Sequence, residues 1–161
     1  MHEIRPATIA DHPKIVRLWH QGWHDAHGDL VPSALLRFRT QMYLVKWLTE
    51  SEDTFYVATD DDLLGFVSVK GTEVVKLYVR RSARGTGAAR RLLAFAEHML
   101  FESGVRDADL LCTAGNSRAE AFYRREGWRM SRSFDDGLWM PHGVDKQFIV
   151  PTLHFKKTLI C

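Results

Sequence analysis

The chain has 161 residues, of which 45% are hydrophobic, 11% aromatic and 26% charged. This length predicts one domain over 1–161, and this composition excludes intrinsic disorder and a collagen-like repeat. The net charge of +2 is too small for a protein whose whole surface binds a polyanion. Six basic residues and no acidic one nevertheless stand between Glu73 and Glu97. We therefore expect one anionic ligand to bind at this basic segment.

The two cysteines lie far apart, with Cys112 inside an apolar run and Cys161 at the last position. They form neither a disulfide framework nor a metal-ligand set, so we expect a reducing compartment. The first residues lack the apolar core of a signal peptide, and no stretch approaches the ~18 consecutive apolar residues of a membrane helix. A cytoplasmic protein without membrane contact is expected.

Hydrophobic periodicity, β-propensity and capping residues predict eleven elements. In chain order they are a strand at 3–5, helices over 12–26 and 33–50, strands at 55–59, 63–70 and 73–79, a helix ending by Gly104, a strand at 108–113, a helix ending by Gly127, and strands at 128–134 and 147–159. A meander followed by alternating strands and helices is typical of the α/β class. It predicts a mixed sheet with helices on both faces and parallel pairing in its second half.

A strand, a glycine-containing turn and the start of a helix follow one another directly between Leu77 and Ala89. The first turn of a helix has backbone N–H groups without intrahelical partners, and glycines let an anion approach them closely. Arginines around the turn add charge-assisted hydrogen bonds. The pattern predicts a phosphate-binding loop, with a plain tight turn before a solvated basic helix as the alternative.

Single residues exclude two common phosphate-binding motifs. A P-loop requires a lysine directly after its last glycine, but Ala88 follows Gly87. A dinucleotide-binding fingerprint begins with two glycines, which Gly85 and Gly87 supply, but it requires a third small residue where Arg90 stands.

The loop does satisfy the pattern Arg/Gln-x-x-Gly-x-Gly/Ala, through Arg84, Gly87 and Ala89. This resembles the acyl-CoA-binding motif of the GNAT superfamily of N-acyltransferases. A second stretch, 116–128, is similar to the Asn-x-x-Ala-x-x-Phe-Tyr-x-x-x-Gly-Phe pattern of the same superfamily, with Trp128 in place of the more common Phe. The resemblance implies a mostly antiparallel sheet with one parallel, splayed strand pair.

The resemblance also implies an acetyl-CoA-dependent N-acetyltransferase that moves the acetyl group directly to a primary amine. The implied cofactor-binding residues are Leu77, Tyr78, Val79, Arg84, Gly85, Thr86, Gly87, Ala88, Ala89 and Asn116. Tyr123 would be the general acid toward the CoA sulfur, and a backbone N–H of Leu77 or Tyr78 would stabilise the oxyanion. Without the motif, Tyr123 would be interpreted as a core aromatic residue.

Glu73 is the candidate general base, because some members of the superfamily carry a glutamate at this place. Since side chains alternate along a strand, Glu73 is expected on the same face as Leu77. The alternative is a solvated residue at the start of a strand, and His142 or a water chain would then accept the proton.

Three histidines recur along one face of the first predicted helix, at His20, His24 and His27. No H-E-x-x-H arrangement accompanies them, so we predict no metal site. Acceptor binding is instead expected on the helices of 11–50 and the loop 135–146. The predicted contacts come from Trp23, His24, His27 and Trp139.

The sequence does not identify the acceptor. A small-molecule amine is favoured over a protein amine, and a homodimer is left open. A non-catalytic acyl-CoA sensor is the main alternative function, and Tyr123 argues against it. Nucleic-acid binding is disfavoured, because the basic residues belong to one loop and helix start without an aromatic-studded strand.

Overall fold

A computed structural model describes residues 3–140 and 147–160. Its strands are β1 (Glu3–Pro6), β2 (Thr54–Thr59), β3 (Leu63–Lys70), β4 (Glu73–Val79), β5 (Asp107–Thr113), β6 (Arg129–Gly137) and β7 (Ile149–Thr158). They form one sheet in the order β1-β2-β3-β4-β5-β7-β6. Among the strands of the described residues, only β4 and β5 pair in parallel, and every other pair is antiparallel. The predicted mixed, mostly antiparallel sheet is confirmed.

Both faces of the sheet carry helices, namely α1 (His12–His27), α2 (Gln41–Glu50), α3 (Ala88–Glu102) and α4 (Ser117–Arg125). Helices α1 and α2 share one apolar cluster with Phe66 of β3, through residues such as Trp19 and Leu44. Helix α3 contributes Leu92 to a second cluster, which contains Val67. Because Phe66 and Val67 are neighbours on one strand, the two clusters lie on opposite faces of the sheet.

The segment 33–50 forms two helices instead of the single helix predicted. A 3₁₀ helix spans Ser33–Phe38, and α2 begins after Thr40. Thr40 is the N-cap of α2, because its backbone is extended and its side chain accepts a hydrogen bond from the Tyr43 N–H. This break leaves Arg39 between the two helices, with its side chain buried.

Two further boundaries bear on the predicted acceptor region. Strand β6 continues to Gly137, so the positions 135–137 of the predicted loop belong to a strand. The candidate base His142 lies outside the described residues. Within 3–140 and 147–160, no helix combines the length and apolarity that a membrane span requires.

A β-bulge in β4 changes which of its side chains share a face. The register between β3 and β4 shifts, so that Val75 has no opposite residue. As a result, Val74 and Leu77 both pack in the cluster on the α3 face. Glu73 is adjacent to Val74 and therefore points to the other face. The expectation that Glu73 shares a face with Leu77 is wrong, because the extra residue shifts the alternation by one.

Helix α1 approaches the sheet closely at Gly22, where a Cβ atom would lie 2.6 Å from Cδ1 of Tyr78. Alanine normally stabilises a helix interior relative to glycine by about 0.5–1 kcal/mol. At this position the clash with a ring packed in the α1–α2 cluster should outweigh that gain.

Gly22→Ala is therefore expected to lower the melting temperature. Gln21→Ala, at the exposed neighbouring position of the same helix, should leave it unchanged or raise it slightly. Thermal unfolding followed by circular dichroism measures both variants. A Gly22→Ala protein at least as stable as the unsubstituted chain would contradict the close packing of α1 on Tyr78.

Candidate active site

A cleft of about 1000 Å³ runs beside the parallel strand pair. It is lined by α1, α2, β4, β5, the loop after β4 and the start of α4. Most of the predicted site residues line it, namely Trp23, His27, Leu77, Tyr78, Val79, Arg84, Gly85, Gly87, Ala88, Ala89, Asn116 and Tyr123. Four predicted residues do not line it, namely His24, Glu73, Thr86 and Trp139. The structure thus brings together residues of the two motifs that lie far apart in the chain.

The parallel pairing of β4 and β5 is short. The strands pair at only two positions, Glu73 with Asp109 and Val74 with Leu110. The remainder of each strand lies along the cleft without a partner on the other strand. The predicted splay of a parallel pair is therefore present.

Main-chain groups of β4 face this gap. The Arg80 N–H donates to the Leu64 carbonyl of β3 at 2.9 Å. In an antiparallel ladder this orientation alternates, so Tyr78 also faces β3, whereas Leu77 and Val79 face β5. Of the two predicted oxyanion donors, only the Leu77 N–H is directed into the gap.

The same alternation applies to β5. The Ala114 N–H donates to the Pro151 carbonyl at 2.9 Å, so the even-numbered residues of β5 face β7. Leu111 and Thr113 accordingly direct their main-chain groups toward β4. A peptide-like ligand arm can be bound in this gap as an added strand.

The loop after β4 has the backbone conformation of an anion-binding turn. Gly85 and Gly87 have φ angles of 77° and 87°, in the left-handed region that favours glycine. A Cβ atom at either position would contact nothing within 4 Å, so space for a ligand remains around both. Helix α3 begins directly after Gly87 with no acidic residue in its first turn, so its N–H groups and dipole are available to an anion.

Arginine side chains increase the positive charge around this loop. Burial lowers the pKa of Arg84, and the nearby charges of Arg118 and Arg81 lower it further. Arg81 forms an ion pair with Asp25 at 2.9 Å. Guanidinium groups that repel one another in this way would be stabilised by a bound polyanion.

Tyr123 lies on α4, half-buried between Phe122 and Phe155, with ring centroids at 5.4 and 6.0 Å. Burial, followed by the nearby Cys112 thiol, raises the pKa of Tyr123 above its usual range. The phenol is therefore neutral at neutral pH and able to donate a proton. Asn116 is the N-cap of the same helix, where its side chain accepts from the Ala119 N–H at 3.4 Å.

Glu73 is half-buried on the α1–α2 face of the sheet. Burial raises its pKa to about 7, and the carboxylates of Asp109 and Asp53 add to this shift. The positive charge of Lys76 opposes it. A carboxylate with a pKa near 7 suits a general base at neutral pH, although Glu73 itself lies outside the cleft lining.

Lys76 and Trp47 also line the cleft, although neither was among the predicted site residues. The Lys76 ammonium pairs with the buried Asp53 carboxylate at 2.6 Å and lies 4.5 Å from the Trp47 ring. A lysine inside an apolar strand was the available signal, because a buried lysine requires a partner. The partner Asp53 lies 23 residues earlier in the chain and could not be identified from local patterns.

The predicted acceptor residues differ in their relation to the cleft. Trp23 is only 6% exposed, and His27 stacks on it with ring centroids 5.1 Å apart. His24 binds the Arg39 carbonyl through Nε2 at 2.8 Å. Trp139 contacts the cleft indirectly, by stacking on Trp47. Among residues 3–140 and 147–160, no group of three His, Cys, Asp or Glu side chains could hold a metal ion.

The family model described as "Acetyltransferase (GNAT) family" matches residues 14–128, which is most of the chain. The chain belongs to the GNAT acetyltransferase family. The resemblance noted in the two motifs is confirmed, and the protein is an N-acetyltransferase that uses an acyl-CoA. No curated protein is significantly similar to it in sequence.

Solved structures of the family share the fold of this acetyltransferase. The apo form of YjaB from Escherichia coli has a TM-score of 0.74 at 21% identity and covers 97% of both chains. PaiA N-acetyltransferase from Thermoplasma acidophilum, in complex with coenzyme A, has a TM-score of 0.69 at 18% identity over 98% of this chain and 99% of its own. Ribosomal-protein-alanine N-acetyltransferase from Brucella melitensis has a TM-score of 0.66 at 22% identity over 98% and 99%.

Gly87→Asp is expected to abolish the increase in melting temperature that acetyl-CoA causes, because it places a carboxylate where the phosphates should bind. Gly104→Asp is the matched control: Gly104 also has a positive φ and open space at Cβ, but it lies at the other end of α3. Differential scanning fluorimetry with and without acetyl-CoA measures both. An undiminished shift for folded Gly87→Asp would contradict the phosphate-loop assignment.

If Glu73 is the base of the acetyltransferase, kcat/KM should fall as the pH drops below about 7, where this carboxyl becomes protonated. Glu73→Gln should remove this acidic limb. Asp109→Asn should move the limb to lower pH, because it removes a negative charge that raises the pKa of Glu73. Asp107→Asn, at an exposed position of the same strand, should leave the limb in place. If the dependence of kcat/KM on pH is unaltered in all three variants, a group other than Glu73 accepts the proton of the amine.

Proposed function

We propose that this enzyme transfers an acetyl group from acetyl-CoA to the primary amine of a small molecule by direct attack. The proposal rests on the continuity of the cleft. One space contains the loop after β4, the gap between β4 and β5, Tyr123 and an aromatic end that is formed by Trp19, Trp23 and Trp47. Such a space can hold the cofactor and an acceptor at the same time, as direct transfer requires.

The proposed cofactor contacts follow from the geometry of the loop and the gap. The backbone N–H groups around Gly87 bind the pyrophosphate, and Arg84 adds charge. The pantetheine arm lies between the strands, where it pairs with the main chain of Leu77, Val79 and Leu111.

In the proposed reaction, one side chain donates a proton and another accepts one. The neutral amine attacks the thioester carbonyl carbon, and the Leu77 N–H stabilises the resulting oxyanion. The C–S bond then breaks as the Tyr123 hydroxyl donates its proton to the departing sulfur. Glu73 accepts the proton that the amine nitrogen releases, through water, because the carboxylate lies outside the cleft lining. The products are an N-acetyl amide and free CoA.

A small-molecule acceptor is favoured by the remaining space. Ligand pockets span roughly 300–1000 Å³, and this cleft of about 1000 Å³ must also hold the cofactor. The end beyond the gap is bounded by Trp19, Trp47 and Leu138. A protein amine remains the alternative, because the Brucella neighbour is named for the alanine of a ribosomal protein.

The function is tested with purified enzyme, acetyl-CoA and an acceptor panel, with free thiol as the readout. The panel contains phenethylamine, spermidine, free lysine, an aminoglycoside and a peptide with an N-terminal alanine. The proposal expects thiol release above background with at least one small amine. Release with the peptide alone would replace the small-molecule acceptor by a protein amine. Acetyl-CoA binding without release on any member would favour the sensor alternative.

Tyr123→Phe is expected to lower kcat by ~10²-fold or more, the usual scale for loss of a general acid, while acetyl-CoA affinity changes only a few-fold. Phe122→Leu is the control, because it alters the neighbouring ring without removing a hydroxyl. Steady-state kinetics and acetyl-CoA titration measure the two effects separately. Equal losses in binding and turnover for Tyr123→Phe would make Tyr123 a structural residue.

A further inference from the structure

Arg39 is a fully buried cation at the aromatic end of the cleft. Its side chain is 1% exposed, although arginine is rarely buried to this extent. It does not line the cleft, so it cannot be a catalytic residue by direct contact. Burial lowers the pKa of Arg39 to about 10, and the guanidinium therefore remains charged at neutral pH. A buried guanidinium must be stabilised by hydrogen bonds or by favourable electrostatic contacts with neighbouring groups.

The guanidinium joins segments that are distant in the chain. Its Nη2 donates to the Trp139 carbonyl at 2.6 Å, across 100 residues, and its Nη1 donates to the Phe38 carbonyl at 3.1 Å. The first bond ties the segment after β6 to the turn before α2. The two bonds use the planar fork of the guanidinium, which a lysine ammonium does not have.

Three indoles surround the same group, from α1, α2 and the segment after β6. The guanidinium carbon lies 5.4 Å from the ring centroid of Trp23, 5.5 Å from that of Trp47 and 5.9 Å from that of Trp139. Trp47 and Trp139 stack nearly parallel, with centroids 4.8 Å apart and 9° between the planes. We call these three residues the indole wall. Trp23 and Trp47 line the cleft, and Trp139 supports Trp47 from behind.

The geometry points to Arg39 as a positioning residue for the acceptor, because it holds the three indoles of the wall in one arrangement. This inference rests on the proposed function, in which the aromatic end of the cleft receives the amine. Cation–π contacts and the bond to the Trp139 carbonyl both depend on the position of one guanidinium. Displacing it should therefore change acceptor binding while the phosphate loop and the gap remain intact.

Arg39→Lys tests this role, since it keeps the charge and removes the fork. The acceptor is the panel amine with the highest kcat/KM. Its KM should rise roughly tenfold or more, whereas kcat and the KM for acetyl-CoA should change less than about threefold. Arg5→Lys is the matched control, because Arg5 of β1 also uses its fork for two bonds, to Asp11 at 2.8 and 3.0 Å, and lies outside the cleft lining. It should leave the acceptor KM unchanged.

A second readout follows the indoles directly. The pair of Trp47 and Trp139 should contribute to an exciton couplet in the circular dichroism spectrum, beside the pair of Trp19 and Trp47 at 4.4 Å, and Trp139→Leu identifies the contribution of the first pair. Arg39→Lys should weaken this couplet, and Arg5→Lys should retain it. A raised acceptor KM with an intact couplet would overturn the inference, because Arg39 would then act without moving the wall.

Two other results would also overturn the inference. One is an unchanged acceptor KM in folded Arg39→Lys, and the other is an equal rise of both KM values. If Arg39→Lys does not fold, Trp139→Leu takes its place: it keeps the carbonyl but loses the stack, and an unchanged acceptor KM would be equally decisive. A wild-type enzyme that binds acetyl-CoA but acetylates no panel amine would contradict the proposed function itself, whereas an unchanged KM in the variant contradicts this inference alone.

Discussion

The separation of β4 and β5 after two paired positions is the constraint on which the rest of the molecule depends. A continuous parallel pair would satisfy its own main-chain groups, and nothing could then enter the sheet. Here the N–H and C=O groups of Leu77, Val79 and Leu111 face a gap, where water or a peptide-like ligand must satisfy them. A bulge bends and twists its strand, and the extra residue Val75 lies just where the two strands part.

Helices α3 and α4 both begin close to the place where β4 and β5 separate. Helix α3 begins one loop after β4, and three residues separate the end of β5 from the start of α4, so both helices start beside the open end of the gap. The N-terminal N–H groups and dipole of α3 therefore favour negative charge at this place, whereas the start of α4 is capped by Asn116 and carries Glu120 in its first turn. Arg84 and Arg118 add to the same potential from the two segments. The proposed cofactor site thus combines the geometry of the strands with the start of α3.

Local sequence patterns predicted the strands and helices around the loop after β4 well. Strand β4 and the glycines and arginines of the loop after it are contiguous in sequence, and Asn116 directly precedes its own helix. The geometry of each of these two segments is therefore set by short-range backbone preferences. The face of Glu73 was not predictable, because the bulge depends on the register with β3. The proposed acceptor end depends even more on distant contacts, because Trp139 lies 100 residues after Arg39, to which its carbonyl is bonded, and it also stacks on Trp47. No periodicity within 33–50 reveals that Thr40 separates two helices.

Strand β3 is buried on both sides, and its alternating side chains belong to two separate apolar clusters. One cluster supports α3 and the phosphate loop, and the other supports α1, α2 and the tryptophans. The strand thus acts as a partition between two cores that share a backbone but few side-chain contacts. Mutations that remodel α1 and α2 can accumulate without disturbing the packing under α3. Under the proposed function, redesign of α1 and α2 would change the acceptor end of the cleft and leave the loop after β4 in place.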